Sequence, residues 1–329
     1  MTGWRTSPGR TTADWYREFA ERELAGVSPT YEALCRGVAD DEALCARLDT
    51  LPEPKRQPNL LLATVRYLGG PVDSWPQFRE FLAERWDEVA TTMRERSTQT
   101  NEARRCTALL PALAALPQPL ALLEVGTSAG LCLFPDRWSY RYTGDFGEHR
   151  VGAGPELSCA VTGAAALPDR VPDVAWRAGL DLDPLDVADD DAVRWLESLV
   201  WPEETERFGI LRAAVAIARA DPPRIDRGNL SADVATLAAE APWDCTLVVF
   251  HTAVLAYVDG PGRHAFAESV AALESTARTT CWLANEAPGV LPETASLTAA
   301  AQRRFVLARD RVPIAYTGGH GDSLEWLAS

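Results

Sequence analysis

A short apolar run that meets a glycine-rich turn constrains this chain more than any other stretch. Leu120-Ala-Leu-Leu-Glu-Val125 lies between Pro117-Gln-Pro119 and Gly126. A continuous apolar run of that length, closed by proline and glycine, predicts a strand buried on both faces, as in a parallel sheet. Parallel strands need long crossovers, so this run commits the chain to an α/β architecture. The turn that follows is Gly126-Thr-Ser-Ala-Gly130. Glycines there let the backbone approach a ligand closely, with no Cβ in the way. The spacing differs from the Gly-x-Gly-x-x-Gly of a dinucleotide-binding turn.

The rest of the chain extends the pattern. Residues 175–182 predict a second strand, 203–219 a helix, 224–226 a short strand, and Ser231 the start of another helix. Cys245-Thr-Leu-Val-Val-Phe250 is the clearest central strand. A helix over 262–276, a strand at Thr280-Cys-Trp-Leu-Ala284, and a hairpin with arms 304–308 and 313–316 around Asp310-Arg311 complete the order. Alternation of this kind predicts a Rossmann-like, mostly parallel sheet with helices on both faces and an antiparallel end. Residues 134–172, rich in glycine, proline, tyrosine and charge, read as an insertion or lid within a core over 118–329.

Residues 1–117 read as a helical N-terminal region. Ser28-Pro29 and Ser74-Trp75-Pro76 are helix starts, with a hydroxyl ahead of a first-turn proline. Asp40 is a further candidate cap. Phe78, Phe81, Leu82, Trp86 and Val89 recur at three-to-four spacing on one helix, and Cys106, Leu109, Leu110 and Leu113 on another.

Composition removes several function classes. The chain has 329 residues, 47% of them hydrophobic, enough for a sizeable core in one large domain or a domain with an appendage. Its net charge is −15, which repels phosphate, so nucleic acid and anionic membrane are poor partners. Lys55 is the single lysine and lies in a proline-rich stretch, so neither a Walker loop nor a Schiff-base enzyme is expected. The seven cysteines form no Cys-x-x-Cys and the four histidines no His-Glu-x-x-His, so reduced thiols and no metal site are expected. No apolar run nears the roughly 20 residues that span a bilayer, and the first residues lack a signal-peptide core, so the expected location is cytoplasmic.

Ligands of open α/β sheets bind at the carboxyl ends of the strands, and chemistry-bearing residues cluster at these ends. Glu124 closes the first strand and Gly126, Thr127, Ser128 and Gly130 form the turn. In Gly179-Leu-Asp-Leu-Asp-Pro-Leu-Asp186, Asp181, or alternatively Asp183, is the acid that would accept ribose hydroxyls. Asp186 and Asp189 to Asp191 read as caps of a helix over 192–199. His251 ends the central strand, where it is a general base, a substrate ligand or a buried hydrogen-bonded histidine. Asn285-Glu286 end the next strand, with Glu286 a candidate catalytic acid or base. His320, in Gly318-Gly-His-Gly321, reaches a cleft or sits in a plain turn. Asn101 and Glu102 either stand near the site or cap a helix.

An acid two residues before Gly126, with glycine again four residues after it, resembles the first motif of class I S-adenosylmethionine (SAM)-dependent methyltransferases. More broadly, the chain resembles the domain-of-unknown-function 2332 family, an uncharacterised and mainly actinobacterial group. The matching segments include Gln57-Pro-Asn-Leu-Leu-Leu62, Tyr67-Leu-Gly-Gly70, Thr98-Gln-Thr-Asn-Glu102 and Leu123-Glu-Val-Gly-Thr-Ser-Ala-Gly-Leu131. They continue with Gly179 to Asp186, Trp195, Val200-Trp-Pro-Glu203, Phe250-His-Thr-Ala-Val-Leu-Ala-Tyr257 and His320-Gly321, so the resemblance covers nearly the whole chain. It implies a Rossmann-like, methyltransferase-like fold and no particular activity. Asn229 stands where the resemblance leads one to expect an acid for the adenine amino group, and Cys132 where it leads one to expect asparagine.

Three readings follow. In the first, a SAM-dependent methyltransferase acts on a small molecule. Glu124, Gly126, Thr127, Ser128 and Gly130 hold SAM, Asp181 or Asp183 the ribose, Asn229 the adenine, and His251 orients or deprotonates the nucleophile. In the second, Gly-x-Ser-x-Gly is a hydrolase elbow with Ser128 as nucleophile, His320 as base and Asp259 as acid. In the third, a methyltransferase fold binds SAM or a nucleotide, or serves as a scaffold, without catalysis.

Overall fold

The computed structural model describes residues 9–99, 101–164, 166–297 and 304–327. They form two compact units, one of residues 9–99 with 188–209, the other of 101–187 with 210–327.

The first unit is helical. Its helices are α1 (Thr12–Phe19), α2 (Pro29–Asp40), α3 (Glu42–Leu48), α4 (Pro58–Tyr67), α5 (Trp75–Glu84) and α6 (Trp86–Glu95), joined by α8 (Asp190–Leu199). Ser28 caps α2 by accepting the Tyr31 N–H, with Pro29 in the first turn, as the sequence suggests. The cap of α3 is Asp41 and not Asp40: its side chain accepts the Leu44 N–H. The single helix expected through Phe78 and Val89 is two, because Arg85 leaves helical geometry at φ −118° and ψ 25°. Asp189 caps α8, the role expected of these acids. Trp195 of α8 joins a core with Tyr16, Leu34, Leu61, Phe78 and Met93. Tyr67 fixes α8 by donating its hydroxyl to Asp191 at 2.6 Å.

Among the described residues, the second unit holds every strand: β1 (Leu120–Val125), β2 (Ser139–Gly144), β3 (Gly147–Gly152), β4 (Glu156–Thr162), β5 (Val174–Asp181), β6 (Arg224–Arg227), β7 (Thr246–Thr252), β8 (Thr280–Glu286), β9 (Arg304–Arg309), β10 (Val312–Gly318) and β11 (Ser323–Trp326). They make one sheet in the order β3-β2-β4-β11-β10-β9-β8-β7-β1-β5-β6. From β6 to β9 this is the 3-2-1-4-5-6 order of a Rossmann-like sheet. The strands β6, β5, β1, β7 and β8 run parallel, and β9 is antiparallel to β8. All residues of β1 and β7 are buried, which explains the apolar runs Leu120–Leu123 and Leu247–Phe250.

Helix α7 (Cys106–Ala114) belongs to this unit and packs on β4 and β9, so the unit begins at Asn101 and not after Pro117. Helix α9 (Thr205–Ala220) leads into β6, α10 (Leu230–Ala238) joins β6 to β7, and α11 (Gly260–Glu274) joins β7 to β8. Ala121, Leu123 and Val125 of β1 and Leu247 and Val249 of β7 share a core with residues of α10 and α11. By strand alternation, Glu124 and Thr252 face the other side.

The segment expected as an insertion or lid supplies β2, β3 and β4, which enter the same sheet through parallel pairing of β4 with β11. The terminal hairpin turns at Asp310 and Arg311, both left-handed at φ 48° and 67°, as a tight two-residue turn requires. Among the described residues, no helix is long and apolar enough to cross a membrane.

Candidate functional site

The sheet order reverses at β1: β5 lies on one side and β7 on the other. A crevice for a ligand opens at such a point, beyond the carboxyl ends of the strands. The candidate residues gather there, all within the second unit.

Glu124 is 4% exposed, and Thr127 Oγ1 donates to its Oε2 at 2.6 Å. Burial pushes this carboxyl up to about 8, against the opposing pull of the Thr127 hydrogen bond and the Arg105 charge. Gly179, opposite Glu124 in β5, makes room for this pair, since a Cβ there would run into Thr127.

Gly126, Ser128 and Gly130 adopt left-handed backbone, with φ of 67°, 51° and 71°. Asp181 holds the turn in place. Its Oδ2 accepts the Ser128 N–H at 2.7 Å and its Oδ1 the Asp183 N–H at 2.8 Å. The Ala129 N–H donates to Asn101 Oδ1 at 3.2 Å, so Asn101 stands beside the turn. Residues 128–138 form turns and bends rather than a helix, so no helix N-terminus follows the β1 turn. A Cβ on Gly126 would strike the Val254 side chain. The space that glycine frees is therefore taken by the loop after β7.

His251 and Glu286 lie on the α11 face, where both ring nitrogens of His251 and Oε1 of Glu286 have protein partners. The His251 ring is fully buried: Trp282 Nε1 donates to its Nε2 at 3.0 Å, and its Nδ1 lies 2.6 Å from Glu286 Oε1. The indole can only donate, so Nε2 accepts and Nδ1 carries the hydrogen. Glu286 Oε1 also accepts the N–H groups of Val254 and Leu255, at 2.8 and 3.0 Å. Both ring nitrogens are thus committed, and the base expected at His251 is instead part of the fixture that fastens the β7 loop.

The opposite face carries a different group. Arg105 is 2% exposed; its Nε donates to Gly319 O at 2.9 Å and its Nη1 to Thr252 O at 3.1 Å. Asn285 is fully buried, with Oδ1 accepting the Thr317 hydroxyl at 2.7 Å. His320, with a side chain 29% exposed, has Nδ1 3.4 Å from Oε2 of the buried Glu102. Its loop is fastened to the 104–107 segment by Arg104 Nε to His320 O and Thr107 Oγ1 to Gly321 O, at 3.2 and 2.5 Å. Asn101 Nδ2, Arg105 Nη2, Ser128 Oγ and Asn285 Nδ2 are buried atoms with no hydrogen-bond partner among the described residues.

Two of the expected cofactor contacts already have partners within the protein. Asn229 accepts the N–H groups of Ser231 and Ala232 as the cap of α10, which uses the oxygen that was to face adenine. Asp183 is exposed and pairs with Arg227 at 3.0 Å. Asp259, the acid of the hydrolase reading, caps α11 by accepting the Gly262 N–H. Arg105 was not anticipated. The available signal was a basic pair, Arg104-Arg105, opening an otherwise apolar helix, where the helix dipole disfavours positive charge.

Among the described residues, no cluster of three or more histidine, cysteine or acidic side chains could hold a metal ion, and all seven cysteines are free and buried. No curated protein matches the chain. A family model described as an uncharacterized protein conserved in bacteria, domain of unknown function 2332, matches residues 13–326, and the chain belongs to that family.

Proposed function

We propose that this chain is a SAM-dependent methyltransferase-like protein acting on a small molecule at the carboxyl edge of β1, β5 and β7. The observation that carries the reading is the pair of unpartnered buried groups beside the glycine turn, Asn101 Nδ2 and Ser128 Oγ. Buried polar atoms are nearly always paired, so atoms left over at a topological switch point argue for a ligand. An amide N–H and a hydroxyl suit the amino-acid end of SAM. Asp181, held by two backbone N–H groups, keeps further lone pairs for a ribose diol. Asn229 Oδ1 is engaged in the α10 cap, so this reading does not rest on it.

When bound, SAM supplies an electrophilic methyl group. The chain's own task is to set an acceptor in line with it and to manage one proton. His320 is the base in this reading, being partly exposed and beside the buried Glu102 carboxylate, which orients the imidazole and stabilises its protonated form.

One observation favours a hydrolase as the second reading: Ser128 holds φ 51° in Gly-x-Ser-x-Gly, with a histidine–carboxylate pair in the same unit. Against it, the N–H of Ala129, which an oxyanion hole would need, is spent on Asn101. A fluorophosphonate probe separates the two. The methyltransferase reading predicts no label at Ser128 and protection of the fold by S-adenosylhomocysteine (SAH). Stoichiometric labelling at Ser128, lost in Ser128→Ala, would transfer the assignment to the hydrolase.

A further inference from the structure

Among the described residues, Arg105 is a buried charge without an ionised counter-charge. Its guanidinium donates to two backbone carbonyls and to Thr252 Oγ1, while Nη2 has no partner. Among the described residues it makes no ion pair, and the Phe305 ring lies 5.5 Å from the guanidinium carbon. Glu124, whose carboxyl feels the Arg105 charge, is itself pushed up to about 8 by burial and so stays neutral at neutral pH. Buried charges are ordinarily paired, because desolvation without compensation is expensive.

A second orphan donor lies close by. Thr252, which Arg105 grips, is the register partner of Asn285 in β8, so the two side chains share a face. The Thr317 hydroxyl fixes the Asn285 amide through Oδ1, which leaves Nδ2 as a directed, unpartnered donor. One guanidinium N–H and one amide N–H, both desolvated, match the two oxygens of a planar carboxylate.

We infer that Arg105 and Asn285 form a carboxylate-binding subsite, and that the small molecule taken at this edge carries a carboxylate. The inference rests on reading this edge as a ligand site, and not on methyl transfer itself.

Asn285→Asp tests it without removing the backbone contacts of Arg105. The new carboxylate keeps an acceptor for Thr317 and gives Arg105 an internal counter-ion. Thermal unfolding is followed in chloride, acetate, benzoate and phosphate at matched ionic strength, with SAH titrated separately by calorimetry. The wild type is expected to gain Tm with acetate or benzoate over chloride. Asn285→Asp is expected to start at a higher Tm and lose that response. If SAH affinity also falls at least tenfold in the variant, the carboxylate recognised is that of the cofactor. If SAH affinity is unchanged, it belongs to the acceptor. A wild type indifferent to both carboxylates, one that answers phosphate alone, or a variant that melts lower and still responds would overturn the subsite. Absence of SAH binding beside an intact carboxylate response would remove the methyltransferase reading and leave the subsite standing.

Discussion

The Trp282 indole donates its N–H to His251 Nε2 at 3.0 Å, and this one bond decides what the strand-end histidine does. With Nε2 accepting, Nδ1–H points at Glu286, and Glu286 in turn collects the N–H groups of Val254 and Leu255. His251 is therefore a positioning residue for the loop after β7. Trp282→Phe strips the donor and leaves a buried acceptor unpaired, a loss of about 1–3 kcal/mol. Urea unfolding should show that loss while SAH affinity changes less than threefold. A large fall in affinity with unchanged stability would mean that His251 touches ligand after all.

Glu124 makes stability fall with rising pH. Its carboxyl is pushed up to about 8 in the fold, above an unfolded value of about 4.3. Between these values the folded chain holds a proton that the unfolded chain has released. The stabilisation is thus complete below the unfolded value and lost as pH rises to the folded one, with a slope on the order of 1 kcal/mol per pH unit. Glu124→Gln keeps an acceptor for Thr127 and has no proton to lose. Urea midpoints measured from pH 5 to 9 should fall more steeply for the wild type than for the variant. Parallel curves would contradict the burial argument.

Gly126 is constrained twice, by its φ of 67° and by Val254 against the position of its Cβ. Gly126→Ala should cost about 2–4 kcal/mol, the sum of left-handed strain and overpacking. In a Val254→Ala background the overpacking part should vanish, leaving about 1 kcal/mol of backbone strain. A double-mutant cycle with no coupling would show that Val254 does not fill this space.

Cap identity in the helical unit is a simple check on local structure. Asp41→Ala should cost about 1 kcal/mol through loss of the Leu44 N–H acceptor, while Asp40→Ala, at an exposed helix end, should stay within about 0.5 kcal/mol. Equal effects of the two substitutions would argue against the α3 boundary.

Much of the second unit was legible because central parallel strands write themselves as unbroken apolar runs. β1 and β7 contain such runs, and the Asp310-Arg311 turn marked the terminal hairpin. The docking of β2 to β4 was not legible, since β4 pairs with β11, about 160 residues away, and nothing local in Tyr140 or Tyr142 names that partner. The β1 turn drew attention correctly as a place where backbone is special, but the following residues lack helical structure, which glycine spacing alone does not reveal. His251 was ambiguous by nature: its partner Trp282 lies 31 residues on, and only the pairing of β7 with β8 joins them. Arg105 escaped notice because arginines are rarely fully buried. Its significance lies in what surrounds it, which a single sequence does not display.

If the carboxyl edge of β1, β5 and β7 binds SAM as proposed, calorimetric titration of SAH and SAM into the protein detects it. Asp181→Ala, which removes the acceptor for the Ser128 and Asp183 N–H groups, serves as the control. The account predicts one site per chain with micromolar affinity, on the order of −8 kcal/mol, weakened at least tenfold in the control. A folded wild type that takes up neither compound at saturating concentration would contradict it.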